Sequence, residues 1–200
     1  MTTAEILCVP IAPEHEAGLR ALLGEVSNGC YCRWWHFDGE DYDWTARCNL
    51  EPERNANAMS EALRAQSPTA AGVVALCGDE VVGWLKLAPA AAMTKLYGRR
   101  VYRTLSCFDG DRSEVLVIGC MAVAPGRRRQ GVAGSMLATA IDWARSRGAA
   151  ALEATPRRAQ HAVRDDELWM GPPSIFDEAG FLRVDDGPEA YPVLRLTLER

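Results

Sequence analysis

The alternation of apolar and polar positions along the chain divides it into strands and helices. Short apolar runs bounded by proline, glycine or aspartate predict strands, and apolar residues about three to four positions apart predict helices. The predicted strands span 5–11, 71–76, 81–87, 114–123, 149–154, 181–184 and 193–198. The predicted helices span 13–26, 52–65, 129–147 and 173–179. The strands 71–76 and 81–87 flank a Gly-Asp turn, which predicts a β-hairpin.

One strand–loop–helix unit has the clearest pattern. Strand 114–123 is almost entirely apolar, as expected for a strand covered on both faces. Helix 129–147 carries apolar residues at helical spacing, and Gly148 follows it as a C-terminal cap. The long stretch 89–112 is weakly patterned and is predicted to be a connection. This order of elements predicts one mixed α/β domain.

The composition argues against a nucleic-acid-coating, a membrane-spanning and a secreted protein. The 200 residues suffice for one core, and 22 basic against 27 acidic residues give a net charge of −5, which argues against a nucleic-acid-coating protein. The chain lacks the roughly 18–20 consecutive apolar residues of a membrane span, and its first ten residues lack the basic region of a signal peptide. Seven cysteines, an odd number, predict free thiols. We therefore expect a cytoplasmic protein with no membrane or nucleic-acid partner.

The loop between the central strand and its helix has the features of a phosphate site. The first amides of a helix lack intrahelical partners and carry partial positive charge. Small residues at Gly131, Ala133 and Gly134 allow close approach to these amides, and 127–129 is a run of arginines. No Gly-Lys pair and no Gly-x-Gly occur, which excludes the Walker A loop and the dinucleotide fingerprint. The pattern predicts binding of a pyrophosphate.

The sequence Arg128-x-x-Gly131-x-Ala133 resembles the R/Q-x-x-G-x-G/A signature of the GCN5-related N-acetyltransferase (GNAT) superfamily. A Met-Ala-Val-x-Pro strand end precedes it, and the later Gly180-Phe181 is similar to the start of the family's closing strand. The resemblance implies a single GNAT-like α/β domain over 1–200. Its mixed, mostly antiparallel sheet of about six to seven strands would be splayed into a V and flanked by helices. Residues 1–68 would form the acceptor side, and 69–198 the acyl-CoA-binding core.

The same resemblance implies acetyl-CoA as co-substrate and direct attack by an amine in a ternary complex. The pantetheine arm would pair with the backbone of Met121, Ala122 and Val123. The pyrophosphate would be held by Arg128, Arg129, Gln130, Gly131, Val132, Ala133, Gly134 and Ser135. The acceptor would be a small-molecule or peptide amine, and a homodimer is a further expectation because many members of the family dimerise.

The catalytic residues are less clearly indicated. Many members of the family carry a tyrosine four residues before the Gly-Phe pair, where this chain has Phe176, which cannot donate a proton. Tyr97, Tyr102 and Cys120 are candidates to replace that acid. Glu153 is the first candidate for the general base and Glu114 the second, with a water relay as the alternative.

The segment 28–37 leaves two interpretations open. It resembles a Cys-x-Cys-aromatic element in a bacterial subgroup of these acetyltransferases, and its aromatic residues form either a wall of the acceptor pocket or packing between helices. Cys30, Cys32, His36 and Cys48 include zinc-ligand types, but their spacing departs from zinc motifs, so we predict no metal. The acidic stretch 165–167 and the segment 168–173 after it form either a loop over the substrate entrance or a solvated turn.

Two rival functions remain at this point. A non-catalytic acyl-CoA-binding regulator would keep the phosphate site and lack the acid. A zinc-dependent interaction module would use the cysteines and histidine of 30–48.

Overall fold

A computed structural model describes residues 5–159, 161, 163–185, 187 and 189–199. Seven strands form one sheet in the order β1-β2-β3-β4-β5-β7-β6. The strands are β1 Ile6–Pro10, β2 Gly72–Cys77, β3 Glu80–Pro89, β4 Val115–Val123, β5 Ala151–Ala154, β6 Leu182–Arg183 and β7 Leu194–Thr197. The helices are α1 Glu16–Val26, α2 Asp41–Leu50, α3 Pro52–Arg64, α4 Thr94–Tyr97, α5 Val132–Ser146 and α6 Pro173–Glu178.

The pairing of the strands explains the sheet. Every neighbouring pair is antiparallel except β4 and β5, which run parallel and are connected through α5. Parallel neighbours need a long crossover, which a helix supplies. The prediction of a mixed, mostly antiparallel α/β fold is confirmed.

Both faces of the sheet are covered. On one face α5 buries Met136, Leu137 and Ala140 against the strands, as its apolar stripe predicts. On the other face α1 and α3 pack over the fully buried Trp84. Aromatic and apolar residues of 34–37 and 88–117 extend that second layer toward β5. Within the residues described, no helix is both long and apolar enough for a membrane span.

The main differences from the sequence prediction concern α2 and α5. Helix α2 was not predicted, and the reason is that none of its residues is buried, so it carries no apolar stripe. Helix α5 begins at Val132 and not at 129. Arg129 and Gly131 have φ of +58° and +80°, left-handed conformations that a right-handed helix cannot include.

Candidate functional site

The sheet opens between β4 and β5. The parallel pairing runs only from Val115 to Ile118, so the last part of β4 has no β5 partner. On its other side β4 is irregular, because Lys86 pairs with Cys120 and Leu87 with Ile118, which leaves Gly119 as an extra residue. Such a bulge bends a strand and increases its twist. The bend and the early end of β5 create a wedge-shaped gap.

The end of β4 presents main-chain groups to this gap. The Ala124 amide donates to the Val82 carbonyl of β3 at 2.9 Å. Hydrogen bonding alternates along an antiparallel pair, so the main chain of Ala122 also faces β3, and that of Met121 and Val123 faces the gap. Of the three residues predicted to pair with a pantetheine, two therefore present main-chain groups to the gap, and Ala122 contributes only its side chain.

Two of these groups already have partners within the chain. The Met121 amide donates to the Trp169 carbonyl at 2.7 Å. The Val123 carbonyl accepts from Arg128 Nε at 3.1 Å. The segment around Trp169 thus occupies the place in the gap where an additional strand would pair with β4. The Arg128 side chain connects the end of β4 to the turn that follows.

The turn before α5 has an unusual backbone. Arg129 and Gly131, one residue apart, are both left-handed, and Gly131 is the N-cap of α5 without a side-chain hydrogen bond. The first amide of this stretch with a helical partner is that of Ser135, which donates to the Gly131 carbonyl at 3.0 Å. The preceding amides of Val132, Ala133 and Gly134 are therefore available to a ligand. A Cβ at Gly131 would meet no atom within 4 Å, so glycine is needed there for its φ.

These parts enclose a cleft of about 450 Å³, a volume typical of small-molecule sites. Arginine side chains and the amides of α5 make one end positive, and among the described lining residues no carboxylate offsets them. The opposite wall is largely apolar. The lining consists of Val26, Met121, Ala122, Val123, Arg127, Arg128, Arg129, Gly131, Val132, Ala133, Gly134, Leu168, Trp169, Pro172, Ser174 and Ile175. Gln130 and Ser135, also predicted to bind the cofactor, border the cleft but do not line it.

Glu153, the first candidate for a general base, lies elsewhere. Its carboxylate is 1% exposed and accepts from Arg112 at 2.6 Å and from Arg195 at 2.7 Å. The Tyr97 hydroxyl donates to the same carboxylate at 3.1 Å. Two guanidinium groups pair with Glu153 in the layer between β5, β7 and the 89–112 connection, and this structural role does not support the predicted role as base. The second candidate, Glu114, comes before β4 and is not in the cleft lining.

The candidates for the acid are also separated from the cleft, with one exception. Tyr102 is buried against Phe108, and burial raises its pKa. Burial likewise raises the pKa of Tyr97, whose hydroxyl is bound to Glu153. Cys120 is the exception, because it is partly exposed and adjoins the cleft residue Met121. Its Sγ, however, lies 2.8 Å from Cys32 Sγ, so the thiol already has a partner within the chain.

Phe176 occupies an apolar position. Its ring is fully buried, packs edge-on against Phe181 at 5.3 Å, and covers the backbone of Gly171. Phe176 therefore belongs to the apolar core.

The aromatic segment reaches the β4 bulge. Trp35 is buried and its Nε1 donates to the Gly119 carbonyl at 2.7 Å. The Trp35 and Trp169 rings lie 5.5 Å apart, and Trp169 is 39% exposed. The pair thus closes the side of the gap opposite α5. The sequence suggested 165–173 as a loop at the entrance, but the contacts of Trp169 with Met121 and Trp35 had no sequence signal.

The cysteines and histidine of 30–48 do not assemble a metal site. Among the described residues, no group of three or more His, Cys, Asp and Glu side chains converges in a way that could hold a metal ion. Burial, with the positive charges of Lys86 and Arg33, lowers the pKa of His36 to about 3, so the ring is neutral.

The chain was compared with known families and structures. A sequence model of the acetyltransferase (GNAT) family matches residues 32–165. No curated protein matches the chain.

Several solved structures share the fold. A GCN5-related N-acetyltransferase from Kribbella flavida is 18% identical, with a TM-score of 0.57 over 96% of this chain and 98% of that one. The PaiA N-acetyltransferase of Thermoplasma acidophilum, in complex with coenzyme A, is 12% identical, with a TM-score of 0.54 over 97% and 99%. Diaminobutyrate acetyltransferase EctA of Paenibacillus lautus, in complex with its substrate and coenzyme A, is 14% identical, with a TM-score of 0.52 over 97% and 95%.

Proposed function

Since the chain belongs to the acetyltransferase (GNAT) family, we propose that it binds acetyl-CoA in the cleft between β4 and α5 and transfers the acetyl group to an amine. The observation that carries this proposal is the juxtaposition of two features in one cleft. A strand end without a β5 partner and a positively charged helix start lie side by side, as a ligand with an amide-bearing arm and a pyrophosphate requires.

The pyrophosphate would bind at the start of α5. The amides of Val132, Ala133 and Gly134 lack helical partners, and the helix dipole favours negative charge there. The side chains of Arg128 and Arg129 line the same end of the cleft and would add full positive charges. The left-handed Gly131 directly precedes the right-handed α5, and a left-handed residue next to right-handed ones is typical of backbone anion sites.

The pantetheine arm would extend along Met121 and Val123 as an added strand. For this, the Met121 amide must exchange the Trp169 carbonyl for the ligand. Binding of acetyl-CoA therefore includes a displacement of the segment around Trp169 from β4, so this segment would move from the sheet gap onto the bound cofactor.

The transfer itself needs few groups. The amine nitrogen forms a bond to the thioester carbon, an adjacent main-chain amide near Val123 stabilises the oxyanion, and the carbon–sulfur bond then breaks. A thiol with a pKa of about 8.5 is a good leaving group, so the CoA thiolate can leave without a side-chain acid. This agrees with the apolar surroundings of Phe176. Water would carry the proton from the amine, since the described cleft lining contains no carboxylate.

The acceptor would enter on the side of the gap opposite α5. Trp169 lines the cleft there as an aromatic wall, backed by the buried ring of Trp35, and Val26 adds an apolar contact. This wall supports an amine attached to an aromatic or apolar body, either a small molecule or a peptide end. The rival function, a regulator that binds acyl-CoA without turnover, is favoured by the absence of an acid at Phe176.

Thiol release from acetyl-CoA across a panel of amines tests the proposal. We expect saturable, amine-dependent release with an acetylated product, and the highest kcat/KM for aromatic or apolar amines. Acetyl-CoA binding without release from any amine would favour the regulator, and no binding of acetyl-CoA would contradict both functions.

A further inference from the structure

Two cysteines far apart in the sequence meet beneath the cleft. Cys32 follows α1 in the loop over the sheet, and Cys120 lies on β4 next to the bulge. Their Sγ atoms are 2.8 Å apart across a sequence separation of 88 residues. Cys32 is 3% exposed, and Cys120 is partly exposed beside the cleft residues Met121 and Ala122. The two sulfurs are close enough to bond after a small side-chain rotation.

A buried lysine faces this pair. Lys86 is directly opposite Cys120 in the β3–β4 ladder, so the two side chains share a face of the sheet. Lys86 is fully buried, and its Nζ donates to the Thr69 carbonyl. A buried ammonium without an anion is costly. The charged and titratable side chains that act most strongly on Lys86 are, in order, Cys32, Arg33, Cys120 and Cys30. The cysteine pair is therefore a source of negative charge for this ammonium.

The electrostatics support one negative charge on the pair. The hydrogen bond from Cys120 and the positive charge of Lys86 lower the pKa of Cys32 despite its burial. Burial lowers the pKa of Lys86 to about 8. Burial raises the pKa of Cys8, Cys48 and Cys107, and His36 beside Lys86 stays neutral. The hydrogen bond with Cys32 raises the pKa of Cys120, so the negative charge lies on Cys32 and Cys120 stays a thiol. Reactivity of a cysteine follows its thiolate character, so Cys32 differs from Cys8, Cys48 and Cys107.

We propose that Cys32 and Cys120 form a dithiol site that hydroperoxides oxidise to a disulfide. The Cys32 thiolate attacks a peroxide oxygen, the O–O bond breaks, and a sulfenic acid forms. The Cys120 sulfur then attacks the Cys32 sulfur, the S–O bond breaks, and water leaves. In total the two thiols lose two electrons and two protons, and one hydrogen peroxide becomes two waters.

The disulfide would join the loop after α1 to the part of β4 that borders the cleft. Thiol-based reductants reverse it by exchange, so the modification is reversible. The proposal concerns the thiols alone and does not rest on acetyl transfer.

Mass spectrometry of the folded full chain, treated with hydrogen peroxide at neutral pH, tests the site. We expect a loss of about 2 Da, a Cys32–Cys120 crosslink after digestion, and full reversal by dithiothreitol. Cys32→Ser and Cys120→Ser should each abolish the crosslink, and the control Cys8→Ser should retain it. Formation of other disulfides at the same rate, or stepwise oxygen addition without this crosslink, would overturn the proposal.

The rate of crosslink formation tests the role of Lys86 separately. Lys86→Met should slow crosslink formation about tenfold or more at pH 7 and move its rise with pH to more alkaline values. The chain has one other lysine, Lys95, and Lys95→Met is the matched control, with an unchanged rate expected. Equal rates in the folded Lys86→Met variant would refute activation by Lys86. If that variant does not fold, the pH dependence of crosslinking in the parent decides, since an unactivated pair would react only near the ordinary thiol pKa.

Discussion

Replacing Gly131 with glutamate separates what the fold requires at the start of α5 from what a phosphate requires. Gly131 has φ of +80°, and left-handed backbone costs a residue with a Cβ about 1–2 kcal/mol. An acidic residue at a helix N-terminus returns about 0.3–1 kcal/mol. A Cβ at this position meets no atom within 4 Å. We therefore expect a folded variant, less stable by about 1 kcal/mol.

The effect on acetyl-CoA should be much larger. The new carboxylate would lie beside the proposed phosphate position, where it adds bulk and like charge. Loss of one or two charge-assisted hydrogen bonds predicts about 2–3 kcal/mol, which is roughly a 30- to 150-fold higher Kd. Calorimetric titration of both proteins with acetyl-CoA measures it directly.

Gly148, at the other end of α5, provides a matched control. Its φ is +71°, and a Cβ there also meets no atom within 4 Å. Gly148→Glu therefore has the same backbone strain, and its charge is unfavourable near the helix C-terminus, so it should lose more stability than Gly131→Glu and keep its affinity. If Gly131→Glu binds as tightly as the parent, or if Gly148→Glu loses as much affinity, the phosphate does not bind at the start of α5.

Three further predictions follow from named contacts. Acetyl-CoA binding should change the tryptophan fluorescence because it moves Trp169 away from Met121. Trp169→Phe should lose most of that change and the control Trp143→Phe should keep it; the opposite result would contradict the displacement of Trp169. Glu153→Gln should lower the free energy of unfolding by about 3 kcal/mol, the lower end for a broken buried ion pair, because the partly buried Arg112 and Arg195 lose their charged partner. The exposed Asp142→Asn should be nearly neutral, and a fully stable Glu153→Gln with lost turnover would restore Glu153 as base. His36 has a lowered pKa in the folded chain, so the free energy of unfolding falls as the pH drops below about 6.5, by about 1–2 kcal/mol at pH 5 after allowance for the partial exposure of the ring. Urea unfolding at pH 7 and pH 5 should show a smaller loss of stability in His36→Asn than in the control His15→Asn, and equal losses in the two variants would refute the role of His36.

The parts predicted correctly from the sequence are those specified by local patterns. The strand–turn–helix unit around Arg128 and Gly131 follows from hydrophobic periodicity and from a short signature, both of which are local. The start of α5 was wrong by three residues because the left-handed backbone at Arg129 has no composition signal.

The parts that could not be predicted depend on residues distant in the sequence. Glu153 ends a strand beside the gap, and spacing alone cannot reveal that Arg112 and Arg195, 41 and 42 residues away, converge on its carboxylate. The contact of Cys32 with Cys120 and that of Trp169 with Met121 have the same origin. Tertiary packing brings these groups together, and single-sequence patterns do not encode it.

Amide hydrogen exchange with and without saturating acetyl-CoA tests the central claim most directly. If the cofactor lies between β4 and α5, the amides of Val123 and of Val132, Ala133 and Gly134 should become protected, and the segment around Trp169 should change its exchange. Protection confined to other parts of the chain, or no protection at saturating acetyl-CoA, would contradict the proposed site.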